Sequence, residues 1–97
     1  MSRFYLTVDG MMSGTGIRDI NGDYVDPQAL GLSEPLVSEI SEWRRLYELC
    51  HILGHGEHMI EELDERGLKI REMVKKELPD SKVSYFSDGK SKRLVWE

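Results

Sequence analysis

A chain of 97 residues with 39% apolar and 32% charged content is the size of one small domain; it is too short for separate catalytic and regulatory modules and too rich in aliphatics and aromatics for disorder. Its formal net charge of −5 disfavours nonspecific nucleic-acid binding, because affinity for phosphate backbones grows with the cations presented. A single cysteine, Cys50, excludes an internal disulfide, and the apolar run at the N-terminus ends at Asp9, too early for a signal core or a membrane span, so the cytoplasm is the expected compartment.

In chain order, the run "FYLTV" (Phe4 to Val8) is aromatic and β-branched and stops at Asp9-Gly10, which predicts a strand and a turn. Gly10 to Leu32 is long for a connection. Within it, Asn21-Gly22 lies between Ile20 and Asp23 as a type I′ turn requires, so a small second hairpin is expected. From Leu36 the apolar positions Leu36, Ile40, Trp43, Tyr47 and Cys50 recur at helical spacing behind Ser33, an N-cap residue, and Pro35, which the first turn tolerates. They predict a helix from about Glu34 to about Leu53, stopped by Gly54 and Gly56 in "LGHGE".

A second helix is predicted from about Glu57 to Leu78, with Ile60, Leu63, Gly67, Ile70 and Val74 on one face and Pro79 ending it. A glycine on an apolar helix face costs about 1 kcal/mol against alanine, so a close backbone neighbour is expected at Gly67. Finally "KVSYF" and "KRLVW" flank Asp88-Gly89 as a hairpin. The order β, loop with hairpin, α, α, β, β implies an α+β fold: a small antiparallel sheet, the first strand joining the last two, covered by a two-helix hairpin. Trp43, Trp96, Phe4 and Phe86 are expected in the core between the layers.

Three kinds of site chemistry need weighing. Gly10, Gly14 and Gly16 invite a phosphate cradle, yet no Gly-Lys-Ser/Thr follows them and Asp19 stands where a dinucleotide fingerprint has its third glycine. His51 and His55, one helical turn apart with His58 or Cys50 as a third ligand, are zinc-ligand types, but the glycines beside them unwind the scaffold that fixes such rings. No metal and no cofactor are therefore expected. The carboxylates of "EELDER" suit a solvated helix face with an i,i+4 pair between Glu62 and Arg66 better than acid–base catalysis, and Cys50 lies on an apolar stripe, so no enzyme is expected.

Charge distribution is more informative. Residues 33–65 hold two cations against nine carboxylates, whereas residues 66–97 hold nine cations against five. Glu57, Glu61, Glu62, Asp64 and Glu65 open the second helix, where the helix dipole favours them. With Glu39, Glu42 and Glu48, and with Asp19, Asp23 and Asp26 around the aromatic Tyr24, they predict a negative face for a basic protein partner. Lys75, Lys76 and Lys92 would then point away from it. The rival expectation is a small nucleic-acid-binding or regulatory protein that uses the basic C-terminal hairpin "KSKRLVW".

The segments "MSGTGIRDINGDYVDPQALGLSEPLVSEISEWRRLYE" and "ELDERGLKIREMVKKELPDSKVSYFSD" resemble immunity proteins of bacterial polymorphic toxin and contact-dependent growth inhibition systems. The resemblance runs from Met12 to Asp88 as a pattern of turns and helix faces. It implies a protein that neutralises one cognate toxin domain, a nuclease being the usual kind, by stoichiometric occlusion, with neither nucleic acid nor membrane as partner. The class shares a role more than a motif, so no residue role transfers by position.

Overall fold

The structure, a computed structural model, describes residues 5–11, 14–54, 57–87, 89–90 and 92–95, with the backbone alone at Glu57. Strand β1 (Tyr5–Asp9) is followed by the two-residue strand β2 (Ile17–Arg18), a 3-10 turn (Pro27–Leu30), helices α1 (Glu34–Leu53) and α2 (Glu57–Glu77), and strands β3 (Lys82–Ser87) and β4 (Lys92–Val95). The fold is α+β, with both helices against one face of a four-stranded sheet of order β2-β1-β3-β4. Phe4, Trp96, Asp88 and Gly56, each assigned a part above, lie outside the described residues.

The sheet is mixed, not antiparallel. β1 pairs with β3 in parallel from Tyr5↔Lys82 to Asp9↔Phe86, while β1–β2 and β3–β4 are antiparallel. The cause lies in the helical hairpin, whose two ends meet: Ser33 donates from its N–H and hydroxyl to the Glu77 carboxylate at 2.7 and 2.6 Å. The connection 10–32 first carries the chain back to the end of the sheet where β1 starts, the hairpin returns it there, and β3 then runs parallel to β1 from Tyr5↔Lys82. Ser33 consequently makes no side-chain cap to α1, a second departure from expectation.

Leu6 and Val8 of β1, Ile17 of β2 and Val83 and Tyr85 of β3 face the helices and meet Leu36, Ile40, Trp43, Tyr47, Leu63, Ile70 and Val74 in one core. Phe86 does not join them. Strand alternation puts it on the opposite face, half-buried beneath the Arg18 guanidinium at 5.2 Å.

The glycines of the long loop serve close packing. A Cβ at Gly10 would lie 2.6 Å from the Tyr47 ring, one at Gly14 2.5 Å from the Tyr24 ring, and one at Gly16 2.6 Å from Cγ2 of Ile40. Gly16 also has φ +100°, a conformation that strains any other residue. The turn at Asn21-Gly22 forms one residue earlier than a type I′ turn would. Its hydrogen bond runs from Gly22 N–H to the Asp19 carbonyl, which makes Ile20 and Asn21 the central pair and Gly22 the left-handed residue that follows. Tyr24 then returns to bridge Arg18.

Candidate functional site

The nine residues expected at a partner surface separate into three environments. Glu61, Glu62 and Glu65 are exposed on α2, and Glu57 belongs to the same helix. Asp23 and Asp26 are exposed at the other edge of the sheet. Asp26 caps the 3-10 turn through Gln28 N–H at 2.9 Å and borders a depression with Val37, Ser41 and Arg44 of α1. Asp19 is half-buried and its Oδ1 accepts from Asn21 and Asp23 N–H, so the hairpin carboxylates hold their own turns. The acids of α2 and those of the hairpin therefore form two patches, not one face.

Two of the nine turn to contacts within the fold, Tyr24 half-buried and Asp64 buried. Tyr24 folds back over Gly14 and donates its hydroxyl to the buried Asp9 at 2.9 Å, instead of standing out as an anchor. Asp64 is only 3% exposed. Its Oδ1 accepts from the hydroxyls of Tyr47 and Tyr85 at 3.0 and 2.6 Å, its Oδ2 from Ser87 at 2.7 Å, and Tyr47 in turn accepts from Gly89 N–H at 2.9 Å. One carboxylate thus ties α1, α2, β3 and the turn after β3 together. The helical period explains the burial of Asp64: it lies three residues before Gly67 on the inward arc, whereas Glu61, Glu62 and Glu65 fall outside it.

Burial pushes the Tyr47 hydroxyl up to about 12. Tyr85 is raised further, first by burial and then by its hydrogen bond to Asp64. A raised folded value keeps these hydroxyls protonated where an unfolded tyrosine, near 10, would ionise. Their contribution is complete below pH about 10 and is lost as the pH climbs through the folded values. Urea unfolding between pH 9 and about 12 is expected to show stability falling from about 10 upward, with a shallower fall in Tyr85→Phe; an equal fall in both proteins would detach the effect from this cluster.

Arg66 does not pair with Glu62. It reaches across to α1, bonding Glu39 and Glu42 at 2.7 Å each, and holds the Glu39 carboxyl below its ordinary value; Glu62 pairs with His58 at 3.2 Å. These contacts define the outer seam between the helices. Along α1 the same flank continues from Glu39 and Glu42 to Leu46, Leu49 and Leu53, and along α2 Met59 lies two turns before Arg66 on the flank facing it. The tip of the hairpin is consequently apolar at the surface: Leu49 is 45% exposed, Ile52 65%, Leu53 58% and Met59 37%. Leu46 half-buries its side chain against the core beneath. Sequence reasoning passed over these residues because it scored the apolar stripe facing inward; the signal was that Leu49, Ile52 and Leu53 are extra apolar positions outside that stripe.

The basic C-terminal segment also divides. Lys92 and Lys90 lie beside Ile60 and Glu61, so Lys92 borders the acidic helix instead of pointing away from it, and Arg93 lies on the face of the sheet that the helices leave bare. His51 packs its ring 5.3 Å from that of Tyr47, Cys50 is buried, and His58 is exposed on α2; His55 lies outside the described residues. Among the described residues no group of three His, Cys, Asp or Glu side chains converges on a metal position, and no helix is long and apolar enough to cross a membrane. Comparison with protein-family models, curated proteins and solved structures finds no match.

Proposed function

We propose that this chain is a non-enzymatic, cytoplasmic protein-binding protein of the immunity type, which neutralises a cognate toxin domain with nuclease activity by stoichiometric occlusion through the tip and outer seam of its helical hairpin. The observation that carries this reading is the exposure of Leu49, Ile52, Leu53 and Met59 at the tip of the hairpin, with the exposed carboxylates Glu62 and Glu65 on the same helix as Met59 and Glu61 on its far flank next to Lys90 and Lys92. Large apolar side chains left in water at one place have no folding purpose and suit a partner surface. The carboxylates steer a basic partner toward it, as a nuclease domain with a cationic substrate groove would be.

The two features make separable predictions. Co-purification from the native cell at moderate salt is expected to recover one protein domain at near-equal stoichiometry. Leu49→Asp with Leu53→Asp should raise its dissociation rate at least tenfold, since truncating central apolar contacts acts chiefly on residence time. Reversing Glu61, Glu62 and Glu65 to Lys should slow association at low salt about tenfold or more and leave dissociation nearly unchanged. Full retention of the partner by the leucine variant, with its helical signal intact, would remove the seam from the interface.

A further inference from the structure

Neither helix covers the opposite face of the sheet, where Tyr24 and the turn 19–22 lie along one side, and its side chains are of a different kind from the core. Strand alternation places Tyr5, Thr7 and Asp9 of β1, Lys82, Ser84 and Phe86 of β3, Arg18 of β2 and Arg93 of β4 there. Arg93 Nη1 donates to Thr7 Oγ1 at 3.2 Å and to Ser84 Oγ at 2.5 Å, so hydroxyls from two strands fix its guanidinium over the middle of the sheet. Arg18 is fixed at the side by Asp9 at 3.0 Å and by the Phe86 ring.

Between these groups lies a groove of about 550 Å³, walled by Tyr5, Lys82, Arg18, Arg93 and the turn 19–22. Three cations line it, Arg18, Lys82 and Arg93; Arg18 is paired with Asp9, which leaves Lys82 and Arg93 against Asp19, whose Oδ1 is already engaged by two turn N–H groups. This is a local positive site on a chain of net charge −5, so an anion is attracted by the nearby cations and not by the chain as a whole. Its apolar components are equally specific: Tyr5 is 45% exposed with the Lys82 ammonium 5.8 Å from its ring centroid, and Ile20 stands exposed on the opposing wall.

We propose that this groove binds a nucleoside phosphate unit, the base lying on the Tyr5 ring against Ile20 and the phosphate held by Lys82 and Arg93. A fixed guanidinium and an exposed ammonium beside an exposed ring supply the two things such a ligand needs, charge for the phosphate and a flat apolar surface for the base. Because Arg93 is already held in place by Thr7 and Ser84, little ordering is needed when the phosphate arrives. The unit can come from a free nucleotide or from a single strand passing over the sheet.

Calorimetric titration of the full chain with adenosine 5′-monophosphate, adenosine, inorganic phosphate and a ten-nucleotide oligo-dA tests this. The monophosphate is expected to bind at least about tenfold more tightly than adenosine or phosphate alone, since stacking and charge act together. Lys82→Glu and Tyr5→Ser should each weaken it about tenfold without moving the unfolding transition, both side chains being exposed. An oligonucleotide bound far more tightly than the monophosphate, with a steep salt dependence, identifies a strand as the source; equal affinities identify the free nucleotide. No binding of either, or binding that both variants leave intact, or phosphate as good as the monophosphate, overturns the proposal. Leu49→Asp with Leu53→Asp should leave nucleotide binding unchanged, so this site and the helical seam stand or fall separately.

Discussion

Gly67→Ala is expected to destabilise the protein by about 2–4 kcal/mol, although alanine is the better helix former by about 1 kcal/mol. A Cβ at this position would lie 2.4 Å from Cε1, 2.6 Å from Oη and 2.7 Å from Cζ of Tyr85. The ring cannot give way cheaply. Tyr85 is fully buried, packs 6.1 Å from Trp43 and donates to Asp64 at 2.6 Å. Moving it costs repacking of about 1–3 kcal/mol and endangers a buried hydrogen bond of similar worth. For a chain of this length the midpoint of thermal unfolding should fall by on the order of 10–20 °C. Tyr85→Leu makes room, so in that background Gly67→Ala should become neutral or mildly stabilising, a strong coupling in a double-mutant cycle. A stabilised single variant would mean that the helix does not approach the sheet this closely.

Asp64→Ala should cost on the order of 3–5 kcal/mol, because it leaves the Tyr47, Tyr85 and Ser87 hydroxyls in a closed interior without their common acceptor. Asp64→Asn keeps one acceptor oxygen and should lose about half of that. Glu65→Ala, one residue on and exposed, should change stability by no more than about 0.5 kcal/mol. Denaturant titration of the three variants separates a structural carboxylate from a recognition carboxylate: an Asp64→Ala protein as stable as Glu65→Ala would return Asp64 to the surface.

Local spacing read the helices closely. Leu36, Ile40, Trp43, Tyr47 and Cys50 were placed on the buried stripe of α1, and all five are buried there. Period and glycine placement suffice for that, because a helix's inward face is fixed by contacts three and four residues apart. Gly67 on the apolar face predicts a close backbone neighbour, but the neighbour is the Tyr85 ring. No local rule specifies which distant side chain will fill such a gap.

The candidate surfaces were less legible. Asp64 looks like its acidic neighbours in sequence, and only a 100° step per residue together with hydroxyls from β3 and α1 sends it inward. Spacing along α2 pairs Arg66 with Glu62, whereas packing brings it to Glu39 and Glu42 of α1 at 2.7 Å. The groove on the bare face of the sheet has members from four strands, Tyr5, Arg18, Lys82 and Arg93, that no spacing in the chain relates.

By itself the sequence determined the lengths and inward faces of the helices and the α+β class, and it placed the Asn21-Gly22 turn to within one residue, all of which depend on neighbours within a few residues. The tertiary structure decided the parallel pairing of β1 with β3, the burial of Asp64 and the assembly of cations over the bare sheet. Each of these depends on where the helical hairpin returns the chain, a long-range geometric outcome that local propensity does not encode.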